Sequence, residues 1–119
     1  MSAPAVIPLT IYQGATFRSL CTWKAGTPAV PVDLTGCTAR MQIRPAAGSP
    51  TVLASLTTEN GGISLGGSSG TVAIYISADE TSGFSWTAGY YDLEVEFLSG
   101  DVRRLLSGKV KVSQEVTRD

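Results

Sequence analysis

Asp92, Glu94 and Glu96 are the residues of this chain best spaced for chemistry. On a β-strand the alternation would set all of them on one face. Paired carboxylates can cleave a glycosidic bond, one as acid and the other as base or nucleophile. Arg103, Arg104, Lys109 and Lys111 return beside them after the Ser99-Gly100-Asp101 turn, so cross-strand ion pairing on a solvated face is the simpler use. On that reading a two- or three-residue turn brings Glu96 against Arg103 or Arg104.

The remaining reactive groups are few. There is no histidine, which removes Ser-His-Asp and Cys-His arrangements and imidazole ligation of a metal. Cys21 and Cys37 fall at inward positions of candidate strands, which suits buried free thiols rather than a bridge or an activated nucleophile. The loop "GGSSG" (66–70) lacks the lysine of a phosphate-binding loop and leads into a strand rather than a helix. Asp79-Glu80 reads as the start of a capped helix, where negative charge suits the dipole. "DLTG" and "DVRR" each offer a single carboxylate, too few for a looped calcium site. The expectation is a non-enzymatic protein without cofactor or metal.

Aromatic residues are the other candidate surface. Phe84, Trp86, Tyr90 and Tyr91 fall within eight residues. Trp23 is expected in the core, whereas Trp86 could anchor a loop or meet a partner, since large aromatics dominate both settings. Sugar stacking on Trp86 and Tyr90 is the weaker use, because no nearby set of Asp, Asn and Arg presents itself to hold hydroxyls.

The elements that would position these residues show a period of two almost throughout and no sustained period of 3.6. Candidate strands cover residues 6–12, 15–24, 37–44, 51–57, a short piece around Ile63 and Leu65, 71–77, and the two arms of a hairpin from Gly89 to Val112. Inward sets are Phe17, Cys21 and Trp23; Cys37, Ala39, Met41 and Ile43; Val72, Ile74 and Ile76; and Tyr91, Leu93, Val95 and Phe97. Adjacent Leu105 and Leu106 break the alternation and suggest a β-bulge. The prolines of "AGTPAVPVDLTG" argue against any ladder there. One helical turn is expected near 78–83, with Ser77 capping it, Glu80 reaching back, and Gly83 ending it.

Seven to eight short strands with glycine and proline turns predict an all-β fold, an antiparallel β-sandwich of immunoglobulin-like form, with a closed barrel as the alternative. The 119 residues suit one domain, with a short N-terminal arm (1–5) and a C-terminal tail (113–119) expected to lie outside the ladder. Apolar residues make up 43% of the chain and charged residues 16%, the balance of a globular protein. Nine basic against ten acidic residues leave a net charge of −1, which predicts no strong basic patch for nucleic acid. No segment reaches the ~20 apolar residues of a membrane-spanning helix, and "MSAPAVIPLTIYQG" lacks the basic start and apolar run of a signal peptide.

The ordered series "IYQGATFR", "VDLTGCTARMQIR" and "GTVAIYISADETSGFSWTAGYYDLEVEFLSGDVRRLLSGKVKVSQEVTR" resembles small structural proteins of tailed bacteriophages, above all the N-terminal domains of upper-baseplate proteins. Its matching positions are Asp33, Leu34 and Gly36, Arg40 and Arg44, Tyr91 to Leu93, Gly108, and Val116 with Thr117. The resemblance implies that these are fold determinants. It also implies a virion component, tail- or baseplate-associated, that acts by protein–protein contact as an oligomer and is assembled in the host cytoplasm. The alternatives are a capsid decoration or head–tail joining protein and, in another class, a carbohydrate-binding module for host attachment. Phe84, Trp86, Tyr90, Gln114, Val116 and Arg118 are the candidate interface residues.

Overall fold

The structure, a computed structural model, describes residues 4–117. Met1 to Ala3 of the expected arm and Arg118 with Asp119 of the expected tail lie outside the described residues. In chain order the elements are β1 (Ala5–Val6), β2 (Leu9–Tyr12), β3 (Phe17–Thr22), β4 (Lys24–Ala25), β5 (Val30–Pro31), β6 (Thr38–Arg44), β7 (Ala54–Thr57), β8 (Ile63–Leu65), β9 (Thr71–Ile76), α1 (Ala78–Ser82), β10 (Ala88–Glu96) and β11 (Val102–Ser113).

They form an all-β sandwich. The larger sheet has the order β1-β11-β10-β6-β7, with β2 continuing β1 along β11; the smaller is β3-β9-β8. The alternating strands bury the faces their sequences mark. Ala39, Met41 and Ile43 of β6, Tyr91, Leu93 and Val95 of β10, and Val72, Ile74 and Ile76 of β9 all belong to one buried cluster. Each such aliphatic side chain contributes roughly 1.5–3 kcal/mol on burial. Trp23 and Phe97 pack at the margin of this cluster, their ring centroids 5.8 Å apart, so Trp23 is half-buried rather than central.

Several local expectations take a different form. The strand expected over 6–12 is interrupted at Ile7-Pro8, and both pieces run parallel to β11 rather than antiparallel to a neighbour. Proline supplies no N–H, so the ladder breaks there; Ile7 N–H still reaches Ser107 O at 2.8 Å. Gly108 lies opposite this break. A Cβ on it would fall 2.5 Å from the Ile7 carbonyl oxygen, so a bare backbone is required for the two chains to approach. In the proline-rich connection, Pro31 does join a ladder, the two-residue ribbon β4–β5. It is tolerated because that ribbon is short and peripheral.

The β-bulge falls where the leucine pair suggests. Leu93 faces Leu106 and Glu94 faces Arg104, which leaves Leu105 as the extra residue, and both leucines are buried. Ser77 caps α1 by accepting the Glu80 N–H at 3.2 Å. Gly83 ends it with φ −85°, not in the left-handed conformation of a glycine cap. The tail also begins later than expected. Ser113 is the last ladder residue, paired with Tyr12, and the Glu115 N–H is held by the Gln13 side chain at 2.8 Å.

Candidate functional site

The outward face of the larger sheet collects most of the polar side chains singled out by the sequence. β10 lies between β6 and β11, so its carboxylates meet basic residues on both sides. Glu94 faces Arg40 on one side and Arg104 on the other; Tyr90 faces Arg44 and Lys109. The ion pairs are Arg40 Nε to Glu94 Oε1 at 3.0 Å, Arg40 Nη1 to Glu96 Oε1 at 3.5 Å, and Arg104 Nε to Asp92 Oδ2 at 3.4 Å. All are solvated, so each is worth ~0.2–1 kcal/mol.

The expected pairing of Glu96 with Arg103 or Arg104 is therefore replaced. Glu96 faces Val102 in the register, Arg104 is drawn to Asp92, and the Arg103 guanidinium lies 5.8 Å from the Phe97 ring centroid. The hairpin alone suggested its partner strand. The competing strand β6, distant in sequence, supplied the nearer guanidinium from Arg40. Lys109 and Lys111 make no ion pair among the described residues.

Around Tyr90 this face is hollowed. A depression of about 340 Å³ is lined by Tyr90, Gln42, Arg44, Asp92 and Arg104. A groove of about 820 Å³ shares Ala47, Tyr90, Asp92 and Arg104 with it and is lined also by Val6, Pro8 and Ala46. Asp92, Arg44, Arg104 and Gln42, though no Asn, are thus gathered around Tyr90 from three strands. Members of this set also bond each other, Arg44 Nη2 donating to Gln42 Oε1 at 2.7 Å and Arg104 pairing with Asp92. Arg44 Nη1 is held outside the set by Ser49 O at 2.7 Å.

Below the groove, Tyr91 is buried, and its hydroxyl donates to Ile7 O at 2.7 Å, fixing the β1–β2 break against β10. Burial, with a smaller contribution from Cys21, pushes its phenol up to about 12.

The other candidate residues scatter. Phe84 is buried in the core, so its ring is not offered to a partner; Trp86 is half-buried against it, with ring centroids 5.0 Å apart. Trp86 Nε1 is buried and has no hydrogen-bond partner among the described residues. Tyr90 and Gln114 are exposed, Val116 is 92% exposed, and Arg118 lies outside the described residues. Cys21 and Cys37 are unbridged and half-buried, and burial raises both thiols. No cluster of three His, Cys, Asp or Glu suited to a metal occurs among the described residues, and no helix there is long and apolar enough to cross a membrane.

Sequence reasoning missed Gln13 and Thr81. Gln13 Nε2 donates to Phe84 O at 2.9 Å while its Oε1 accepts the Glu115 N–H, clamping the tail to the segment after α1. Thr81, fully buried, accepts the Gly14 N–H and donates to Ala15 O. A glutamine and a threonine carry no local signal for partners so distant in sequence.

Compared with known proteins, the chain matches no protein-family model and no curated protein.

Proposed function

We propose that the chain is a structural component of a tailed-phage virion, tail- or baseplate-associated, that works by protein–protein contact and not by catalysis. The observation that carries the contact reading is the placement of its exposed apolar side chains. Val6, Leu20, Leu98 and Val116 are each more than two-thirds exposed. They sit on a strand edge, a sheet margin, a hairpin turn and the tail, dispersed rather than gathered round one pocket, although Val6 also lines the groove beside Tyr90. Single exposed apolar residues are ordinary; their distribution over the rims of a rigid sandwich suits a part held by neighbours on several sides. The virion assignment rests on the resemblance of the ordered strand and turn motifs to those of phage structural proteins.

Immunogold electron microscopy of gradient-purified phage particles, with an antibody raised against this chain, tests the reading. Label at the tail tip is the expected result. Label on the capsid or at the head–tail joint would move the protein to the alternative location. Its absence from particles would refute the virion assignment.

A second reading is favoured by the hollow around Tyr90, where an exposed aromatic ring meets Gln42, Asp92, Arg44 and Arg104. That combination can stack a sugar face and hold its hydroxyls. Trp86 takes no part in it. Titration with host-surface polysaccharide should then give saturable binding that Tyr90→Ala abolishes, and no binding to any such glycan removes this reading.

A further inference from the structure

β3 is an edge of the smaller sheet, and its second side has no strand beside it among the described residues. The first strands of the chain run with β11 in the other sheet, so they do not cover it. The ladders show which backbone groups are left over. Trp23 N–H donates to Gly70 O, and in continuing register Cys21, Ser19 and Phe17 face Val72, Ile74 and Ile76. The alternate residues of β9 turn the other way, with Tyr75 N–H donating to Gly62 O and Thr71 O accepting from Gly66 N–H.

In an antiparallel ladder, residues that exchange bonds with one neighbour alternate with residues whose groups point away. Phe17, Ser19 and Cys21 therefore bond to β9, while Arg18, Leu20 and Thr22 turn their N–H and C=O groups to the open edge. Their side chains are exposed as well, Leu20 at 69%. Arg18 does not guard the edge: its guanidinium lies 4.7 Å from the ring centroid of Tyr75, the residue opposite it on β9, and so leans away. β3 contains no proline, no lysine and no bulge, the usual protections of an edge strand.

We propose that β3 pairs antiparallel with β3 of a second copy of this chain, about a two-fold axis at Leu20, joining the two smaller sheets into one. In this register Leu20 meets the partner's Leu20 and Arg18 meets the partner's Thr22. Every outward backbone group of the three residues finds a complement, an apolar pair sits on the axis, and no like charges are opposed. Sliding the strands until the two Arg18 residues face each other would oppose like charges and separate the leucines, so this register is selected.

Sedimentation equilibrium of the full chain over a concentration series should give a species of twice 12.4 kDa. Leu20→Lys, which sets two ammonium groups together on the axis, should return it to 12.4 kDa with an unchanged far-ultraviolet spectrum. Hydrogen exchange needs no variant: the amides of Arg18, Leu20 and Thr22 should slow by at least about tenfold from dilute to concentrated protein. A single monomeric mass throughout overturns the inference. So does a dimer that persists in folded Leu20→Lys, or one whose three edge amides exchange freely. The inference stands apart from the virion reading: a dimer absent from phage particles keeps this one and refutes that one.

Discussion

Two edge strands, β3 and β7, end the two sheets in opposite ways. On β7 a single side chain closes the edge: Asn60 Oδ1 accepts the Thr57 N–H at 2.9 Å, and its Nδ2 donates to Ser55 O at 3.1 Å. The same Oδ1 accepts the Gly62 N–H, and Thr57 Oγ1 accepts the Asn60 N–H, so the cap is itself held in place. β3 has no such residue. The chain leaves it directly through Trp23 into the β4–β5 ribbon. The difference shows that a short edge can be sealed locally when its loop folds back within a few residues. A longer edge followed by a chain that departs stays open to a neighbour.

The largest effect expected from this contrast compares the same substitution on both edges. Leu56 of β7 points into the core at 3% exposure, whereas Leu20 of β3 is 69% exposed. Leu56→Ala should cost about 2–5 kcal/mol in urea unfolding. Leu20→Ala, measured in dilute protein, should stay within about 0.5 kcal/mol. Equal costs would mean that β3 is packed in the monomer and its edge is not free.

Uncapping β7 comes next. Asn60→Ala should lose about 1–2 kcal/mol of stability and make the protein associate with rising concentration through β7. If the variant is destabilised but associates no more than the wild type, Asn60 braces the loop without protecting the edge.

The third edge, at β1–β2, is held by the Tyr91 hydroxyl on Ile7 O, and Tyr91→Phe should cost about 1 kcal/mol. Because folding raises this phenol to about 12, its contribution is intact below the ordinary value of about 10 and is lost as pH climbs from there through about 12. Urea melts on either side of that window should fall more steeply for the wild type than for Tyr91→Phe. Parallel pH profiles would exclude the linkage.

The smallest change is expected at the centre of the sheet. Glu96 shares Arg40 with Glu94 and is solvated, so Glu96→Gln should alter stability by under about 1 kcal/mol. A larger loss would mean that the β6–β10 charges, and not the edges, govern this sheet.

Much of the fold is legible in the residues themselves. The alternations over Ala39-Met41-Ile43, Val72-Ile74-Ile76 and Tyr91-Leu93-Val95 mark the buried faces. Leu105-Leu106 marks the bulge, and Ser77 marks the start of α1. The candidate site is less legible. Phe84, Trp86 and Tyr90 look alike as clustered aromatics, yet one is core, one is half-buried against it, and one lies in a surface hollow. A spacing of two residues puts Phe84 and Trp86 on the same side only if the backbone is extended, and 84–87 lie outside any strand. Gln42 and Arg44 reach the hollow because β6 pairs with β10, which neither strand announces.

The sequence by itself determined that this is a β protein, which face of each long strand is buried, and where its principal turns fall. Those properties follow from side-chain alternation and backbone sterics, which act over a few residues. Only the tertiary structure decided which strands lie side by side. It set Arg40 rather than Arg103 or Arg104 beside Glu96, ran the first strands parallel to β11, let Asn60 seal β7, and left β3 open. Period two makes every strand equally able to pair with every other. The choice among them comes from closing one common core over distant segments, and the edge left open is a consequence of that closure.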